Sequence, residues 1–232
     1  MTDEIDLLLA RVDSLEQRER FGEALQVARQ ACAMQPGEPA VWEVCGEMAL
    51  RSGDAAEAVT ALERLTTLEP RSADAWFGLG EALLWDRRRE EAQVCFVRAA
   101  LLDPRAHVTP FRVTEMEFEA MAGTVLKNVP EPVIDFLEDT GTAVAVRPLP
   151  AVAMVVGAHL DPHALGYWLG NVHGVPGGWG GINPAAIEIY QLNIENWCGD
   201  RVTLSEEIRR TVLHEVGHAL GMDHGALSDD GY

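Results

Sequence analysis

The chain has 232 residues, 47% of them hydrophobic, and can therefore bury the core of one large domain or of two small ones. Its formal net charge of −19 argues against binding to nucleic acid or to an anionic membrane. The acidic start lacks the pattern of a signal peptide, no apolar run is long enough to span a bilayer, and the four cysteines form no C-x-x-C pair. We therefore expect a protein of the reducing cytoplasm with buried free thiols.

The N-terminal half is predicted to be an array of helical repeats. Pro36, Pro70 and Pro104 recur at an interval of 34 residues. Other residue types keep the same interval: Trp42 and Trp76, Gly46 and Gly80, and Ala24, Ala58 and Ala92. The small residues let paired helices approach closely, and each proline closes the second helix of its unit. This pattern resembles the tetratricopeptide repeat, which implies a concave surface for a peptide or protein partner, although three units can also simply brace a neighbouring domain.

After Pro104 the pattern changes to a mixture of helices and strands. Helical periodicity favours residues 113–128, 133–139 and 204–220, the last with Thr203 or Ser205 near its N-cap, whereas alternation favours strands over residues 142–147, 165–172 and 186–193. Residues 151–156 fit either a buried strand or part of a helix. The glycine-rich stretch 173–183 is predicted to be a loop. The strand over 186–193 could pair with an extended substrate, or it could be an interior strand.

The last predicted helix carries the motif H-E-x-x-H as His214, Glu215 and His218. Residues four apart lie one turn along the same helix face, so His214 and His218 can both bind one Zn²⁺. Glu215 lies beside the metal and outside its coordination shell, where it can take a proton from zinc-bound water. The motif therefore indicates a metal-dependent hydrolase, with Glu215 as general base.

A third metal ligand is expected just after this helix. Gly221 suits the left-handed residue that ends a helix and turns the chain back. His224 is then the natural third ligand, and Asp223 is the reserve. Three protein ligands and one water describe a catalytic zinc site better than a closed structural one. Tyr232 and His173 are candidate donors to the oxyanion.

The C-terminal half, from about residue 109 to residue 232, resembles a bacterial family of minimal zincin-like metallopeptidases. The resemblance rests on the Phe118 helix, the Leu165-Gly166-Tyr167 segment, the strand around Ile187-Glu188-Ile189-Tyr190, and the run from Thr211 to Gly221. It implies an α+β domain with a short sheet packed on two or three helices and an H-E-x-x-H zinc site. That family commonly carries an aspartate ten residues after the first histidine, where this chain has His224.

The predicted organisation is a tetratricopeptide-like domain over residues 1–106 followed by a zincin-like domain over 107–232. The extended motif also resembles that of the metzincins, but those proteins need a Met-turn well beyond the third histidine, and only a short tail follows His224 here. The first functional hypothesis is a zinc peptidase whose repeats recruit a substrate or partner. The alternative is a non-catalytic or weakly active zinc-binding adaptor that acts through its repeats.

Overall fold

The computed structural model of the chain describes residues 2–170 and 186–220. The chain divides into two compact units. Unit 1 comprises Met1–Pro110 and Pro150–Pro162, and unit 2 comprises Phe111–Leu149 and His163–Tyr232. In the part of the chain that is described, no helix combines the length and the apolar character needed to cross a membrane.

Unit 1 is built from three successive helical pairs, as the repeat pattern predicts. Its helices are α1 (Thr2–Glu16), α2 (Phe21–Met34), α3 (Pro39–Arg51), α4 (Ala55–Leu68), α5 (Ala73–Trp85) and α6 (Arg89–Leu102). Close approach within two of the pairs depends on glycine. A Cβ added to Gly46 would lie 2.7 Å from Leu62 Cγ, and one added to Gly80 would lie 2.8 Å from Phe96 Cε1. The three in-step alanines, Ala24, Ala58 and Ala92, are fully buried. The small residues of the repeat are therefore packing positions.

The same hydrogen bond between a tryptophan and a proline recurs in two units of the repeat. The indole N–H of Trp42 donates to the carbonyl of Pro36 at 3.1 Å, and that of Trp76 donates to the carbonyl of Pro70, also at 3.1 Å. Each bond ties the first helix of a unit to the turn that precedes it. The spacing in the sequence thus reflects a repeated contact in the structure.

Within its described residues, unit 2 places a three-stranded sheet among several helices. Its elements are α7 (Glu115–Leu126), α8 (Glu131–Thr140), β1 (Ala143–Arg147), β2 (Gly166–Leu169), β3 (Ala186–Tyr190), α10 (Gln191–Asn196) and α11 (Arg201–Ala219); the short helix α9 (Val152–Gly157) belongs to unit 1. The strand order is β1-β3-β2, with β1 parallel and β2 antiparallel to β3. The predicted α+β architecture, with all-α repeats followed by a short sheet and a long helix, is confirmed.

The core of unit 2 lies between the sheet and helices α7 and α11. Its fully buried members include Phe118 from α7, Ile187 and Ile189 from β3, and Ile208 and Val212 from α11. Alternation along β3 turns both isoleucines inward, as a strand with one face on the core requires. This packing holds the motif-bearing helix against the sheet.

One sequence prediction for this region needs correction, and two alternatives that the sequence left open are decided. The predicted strand over residues 186–193 ends at Tyr190, and α10 begins at Gln191. The polar Gln191, Asn193 and Glu195 side chains of α10 are buried and hydrogen-bonded, so burial does not require the strand to continue. Strand β3 is the central strand of the described sheet, with both edges paired, so the interior-strand alternative is confirmed and a substrate cannot add to it. The ambiguous residues 151–156 are largely helical, as α9.

Candidate metal centre

Helix α11 begins at Arg201, three residues before the predicted start, with Asp200 as its N-cap. Thr203, predicted to lie near the N-cap, is the second member of a reciprocal cap with Asp200. Asp200 Oδ1 accepts from the backbone N–H groups of Val202 and Thr203, both at 2.8 Å, and Thr203 Oγ1 accepts in return from the Asp200 N–H at 3.3 Å. The backbone N–H and the hydroxyl of Thr203, followed by the N–H of Val202, lower the pKa of Asp200, because they donate to its charged carboxylate. Aspartate is among the preferred N-cap residues, and that preference is the sequence signal for this cap.

The two histidines of the motif converge on one point. The Nε2 atoms of His214 and His218 lie 3.0 Å apart, their ring centroids are 4.6 Å apart, and the rings are nearly perpendicular at 89°. Two nitrogen ligands of a tetrahedral zinc, at about 2.0–2.1 Å from the metal, stand roughly 3.3 Å apart. Both side chains are half-buried. The observed pair therefore fits two corners of a zinc site with only a small adjustment.

Glu215 lies between the histidines in sequence and is 7% exposed. The backbone N–H of Trp168, on β2, donates a hydrogen bond to its carboxylate. Burial raises the pKa of Glu215 to about 7, because a charged carboxylate loses its hydration there, and the bond from Trp168 opposes this rise. The carboxylate is thus held by strand β2 as well as by its own helix.

Strand β2 reaches α11 closely because residue 166 is glycine. A Cβ at Gly166 would lie 2.8 Å from Thr211 Cγ2, 3.0 Å from Glu215 Cγ and 3.1 Å from the backbone oxygen of Glu188. No side chain fits that space unless Thr211, Glu215 or the strand itself moves. Gly166 therefore sets the distance between β2 and Glu215.

In the sequence, Gly166 stands out only through the family resemblance, and Trp168 does not stand out at all. A glycine inside a strand rich in aromatic residues is a signal of close backbone approach. The hydrogen bond from the Trp168 N–H had no sequence signal, because any residue other than proline supplies that donor.

A polar group on β3 lies beside this site. The Tyr190 hydroxyl donates to Glu188 Oε2 at 3.2 Å, and Arg147 Nε donates to Glu188 Oε1 at 3.1 Å. Burial, followed by the negative charge of Glu188, raises the pKa of Tyr190 well above its usual range, with a smaller contribution from Glu215. Tyr190 therefore stays protonated and keeps a hydroxyl close to the general-base candidate.

The remaining site predictions lie outside the described residues. These are the ligand candidates His224 and Asp223, the turn residue Gly221, the oxyanion candidates Tyr232 and His173, and the predicted loop over 173–183. Within residues 2–170 and 186–220, no group of three or more His, Cys, Asp or Glu side chains could hold a metal ion. The third ligand therefore stays a prediction.

Comparison with known proteins agrees with this architecture. Residues 138–232 match the zincin-like metallopeptidase family, residues 49–109 match one tetratricopeptide repeat family, and residues 5–48 match another. The chain thus joins N-terminal tetratricopeptide repeats to a C-terminal domain of the zincin-like metallopeptidase family. No curated protein matches the chain.

Several solved structures resemble the chain at low sequence identity. The first tetratricopeptide domain of Spaghetti (RPAP3), bound to an HSP90 peptide, is 17% identical with a TM-score of 0.43, and the match covers 45% of this chain and 83% of that one. A MamA structure has 12% identity, a TM-score of 0.44, and coverage of 95% and 92%. MamA from Desulfovibrio magneticus RS-1 has 20% identity, a TM-score of 0.41, and coverage of 54% and 64%.

Proposed function

We propose that the protein is a zinc-dependent peptidase whose repeat domain recruits the peptide or protein substrate or a partner. The observation that carries this proposal is the convergence of His214 Nε2 and His218 Nε2, 3.0 Å apart, beside the buried carboxylate of Glu215. The match of residues 138–232 to a metallopeptidase family supports the same reading. In this proposal, residues 1–106 bind the substrate or partner, and residues 107–232 hydrolyse the peptide bond.

The metal would be held by His214 and His218 together with His224, or with Asp223 in its place. When bound, zinc would acidify a water molecule and polarise the scissile carbonyl. Glu215 accepts the proton of the attacking water and then delivers it to the leaving amine. The Trp168 N–H and Gly166 hold this carboxylate in place during both transfers.

A Glu215→Gln variant tests this mechanism. The amide keeps the shape of the side chain but cannot take a proton, so peptide cleavage should fall by about 10²–10⁴-fold with one zinc still bound. Glu206→Gln is the matched control, because Glu206 lies on the same helix and is half exposed in an ion pair with Arg209. Cleavage by the Glu215 variant at the wild-type rate would refute the assignment.

The ligand set is tested separately by zinc content. His218→Ala should lose the metal, because two remaining ligands do not hold zinc tightly. Loss of zinc in His224→Ala would establish the third histidine. Retention of zinc in that variant, together with its loss in Asp223→Ala, would assign the aspartate instead.

The alternative proposal is an adaptor that binds zinc but turns over peptides weakly or not at all. It is favoured by the extent of the repeats, which match family models from residue 5 to residue 109, because such repeats commonly bind proteins. Robust turnover of a peptide library, abolished in Glu215→Gln, would rule out this alternative. A protein with one bound zinc and no turnover would support it.

The proposed location is the cytoplasm. All four cysteines, Cys32, Cys45, Cys95 and Cys198, are buried and free, which suits a reducing compartment. Fractionation of cells that produce the protein tests this location directly.

A further inference from the structure

One segment of the C-terminal half is part of the repeat unit. Residues Pro150–Pro162, which we call the strap, lie between β1 and β2 in sequence but are grouped with unit 1. Helix α9 forms the first half of the strap. Val155 and Leu160 of the strap are 1% and 8% exposed, and neither belongs to the core of unit 2. The strap is therefore packed as a component of the repeat array.

The valines of the strap meet the turn that joins α3 to α4. A Cβ added to Gly53 would lie 2.9 Å from both Val152 Cγ1 and Val156 Cγ2. Gly53 also has a φ of 76°, a conformation that glycine adopts readily and other residues do not. The two valines, each about half exposed, thus lie directly over the Gly53 backbone.

The second half of the strap contacts the same end of the repeats through Phe21 and Arg51. The rings of Phe21 and His159 have centroids 5.6 Å apart, and the Arg51 guanidinium carbon lies 5.4 Å from the centre of the Phe21 ring. Arg51 Nη2 also lies 3.4 Å from Asp161 Oδ2. His159 has a φ of 54°, and such a strained residue persists only where its surroundings determine its conformation.

The residues that flank the strap in sequence belong to unit 2, where they are hydrogen-bonded to the end of β3 and the start of α10. The carbonyl of Pro148, just before the strap, accepts from the Leu192 N–H at 3.0 Å. After the strap, the Ala164 carbonyl accepts from Asn193 Nδ2 at 2.7 Å, and the Leu165 carbonyl accepts from the Tyr190 N–H at 2.8 Å. The next residue, Gly166, begins β2.

We propose that docking of the strap on the repeats is a positioning device that holds β2 against Glu215. Only three residues, His163 to Leu165, connect the strap to Gly166, and so short a connection carries little slack. Release of the strap loosens β2, and with it the Trp168 N–H and the Gly166 contact that orient the carboxylate. The catalytic consequence rests on the proposed peptidase function, whereas the mechanical coupling does not.

The test compares hydrogen exchange of backbone amides in the wild type and in the double variant Val152→Ser and Val156→Ser. Because both valines are half exposed, the fold tolerates the change while the strap loses its contact with Gly53. The matched control is Val94→Ser together with Val202→Ser, at exposed positions on α6 and α11. We expect exchange in the strap to accelerate at least tenfold and exchange in β2 several-fold, with α2 to α5 unchanged.

The same variants separate this proposal from the proposed function. If the protein cleaves peptides, the strap variant should lose several-fold in kcat with KM and zinc content unchanged. Faster exchange in the strap with unchanged exchange in β2 would overturn the coupling, and unchanged exchange in both would overturn the docking contact. If the wild type cleaves no peptide, the proposed function fails, and the exchange data alone decide the coupling.

A second variant guards against a general loss of structure. Gly53→Ala adds one methyl group beneath the strap valines, and Gly141→Ala adds one in open space at a φ of 65°. Both variants carry the same backbone strain, so only Gly53→Ala should accelerate exchange in the strap and in β2. Equal exchange of these two segments in the two variants would overturn the proposal.

Discussion

Replacement of Gly166 by alanine is the sharpest test of how β2 holds the general-base candidate. The new methyl would lie 2.8 Å from Thr211 Cγ2 and 3.0 Å from Glu215 Cγ, whereas carbon atoms in good contact stand about 3.5–4.0 Å apart. The Thr211 and Glu215 side chains, or the strand and the helix themselves, must therefore shift by roughly 0.7 Å. The Glu188 backbone oxygen, 3.1 Å from the new methyl, blocks a simple movement of β2 toward β3.

Two opposing effects set the change in the free energy of unfolding that Gly166→Ala causes. Overpacking of a tight core costs about 1–3 kcal/mol, and alanine recovers about 0.4–1 kcal/mol by restricting the unfolded chain. A net loss of about 1–2 kcal/mol in the free energy of unfolding is expected. A shift of 1 Å in a catalytic group can cost about 10²-fold, so a displacement of roughly 0.7 Å should lower kcat/KM about tenfold or more.

Urea unfolding, zinc content and peptide cleavage measure these effects together. The matched control is Gly123→Ala in α7, where a Cβ would meet nothing within 4 Å, and helix propensity predicts a gain of up to about 1 kcal/mol. Zinc should remain bound in both variants. If Gly166→Ala were as stable as Gly123→Ala and cleaved peptides at the wild-type rate, the argument that Gly166 positions Glu215 would be refuted.

Three further predictions concern stability. Phe96→Ala should lower the free energy of unfolding, measured with urea, by about 3–5 kcal/mol, because this ring is fully buried in the core of the repeats. A loss below about 1 kcal/mol would contradict that packing. Arg112→Met should lower the free energy of unfolding by about 3–5 kcal/mol, because it leaves the fully buried Glu195 carboxylate without its cation, now 3.1 Å away. Adding Glu195→Gln to this variant should restore part of the lost stability, because it removes the buried charge. The hydrogen bonds to Asp200 lower its pKa in the folded protein below the ordinary value of 3.8. The stability that these bonds contribute is therefore fully present above pH 3.8 and is lost as the pH falls through the folded-state pKa. Asp200→Ala should therefore narrow the difference in melting temperature between pH 3 and pH 7, and an unchanged difference would argue against the cap.

Periodicity alone predicted most of the helices and strands. The 34-residue interval predicted the repeats because every unit buries the same small residues, and alternation predicted β1 because one face of a strand packs on a core. The strand over 186–193 was predicted too long, because Gln191, Leu192 and Asn193 continue an alternating pattern that the backbone abandons at Tyr190. The buried Gln191 and Asn193 side chains donate to the carbonyls of Val113 and Ala164, which lie on other segments, and no local pattern contains that information.

For the candidate site, the sequence by itself determined the spacing of His214, Glu215 and His218, because one turn of helix is a local property that places both imidazoles on one face. Only the tertiary structure decided what surrounds that helix. The close approach of Gly166, the N–H of Trp168 on Glu215 and the capture of the strap by the repeats join residues that are distant in the chain. Such contacts depend on how separate elements pack, and backbone donors and glycines carry no side-chain signal of their partners.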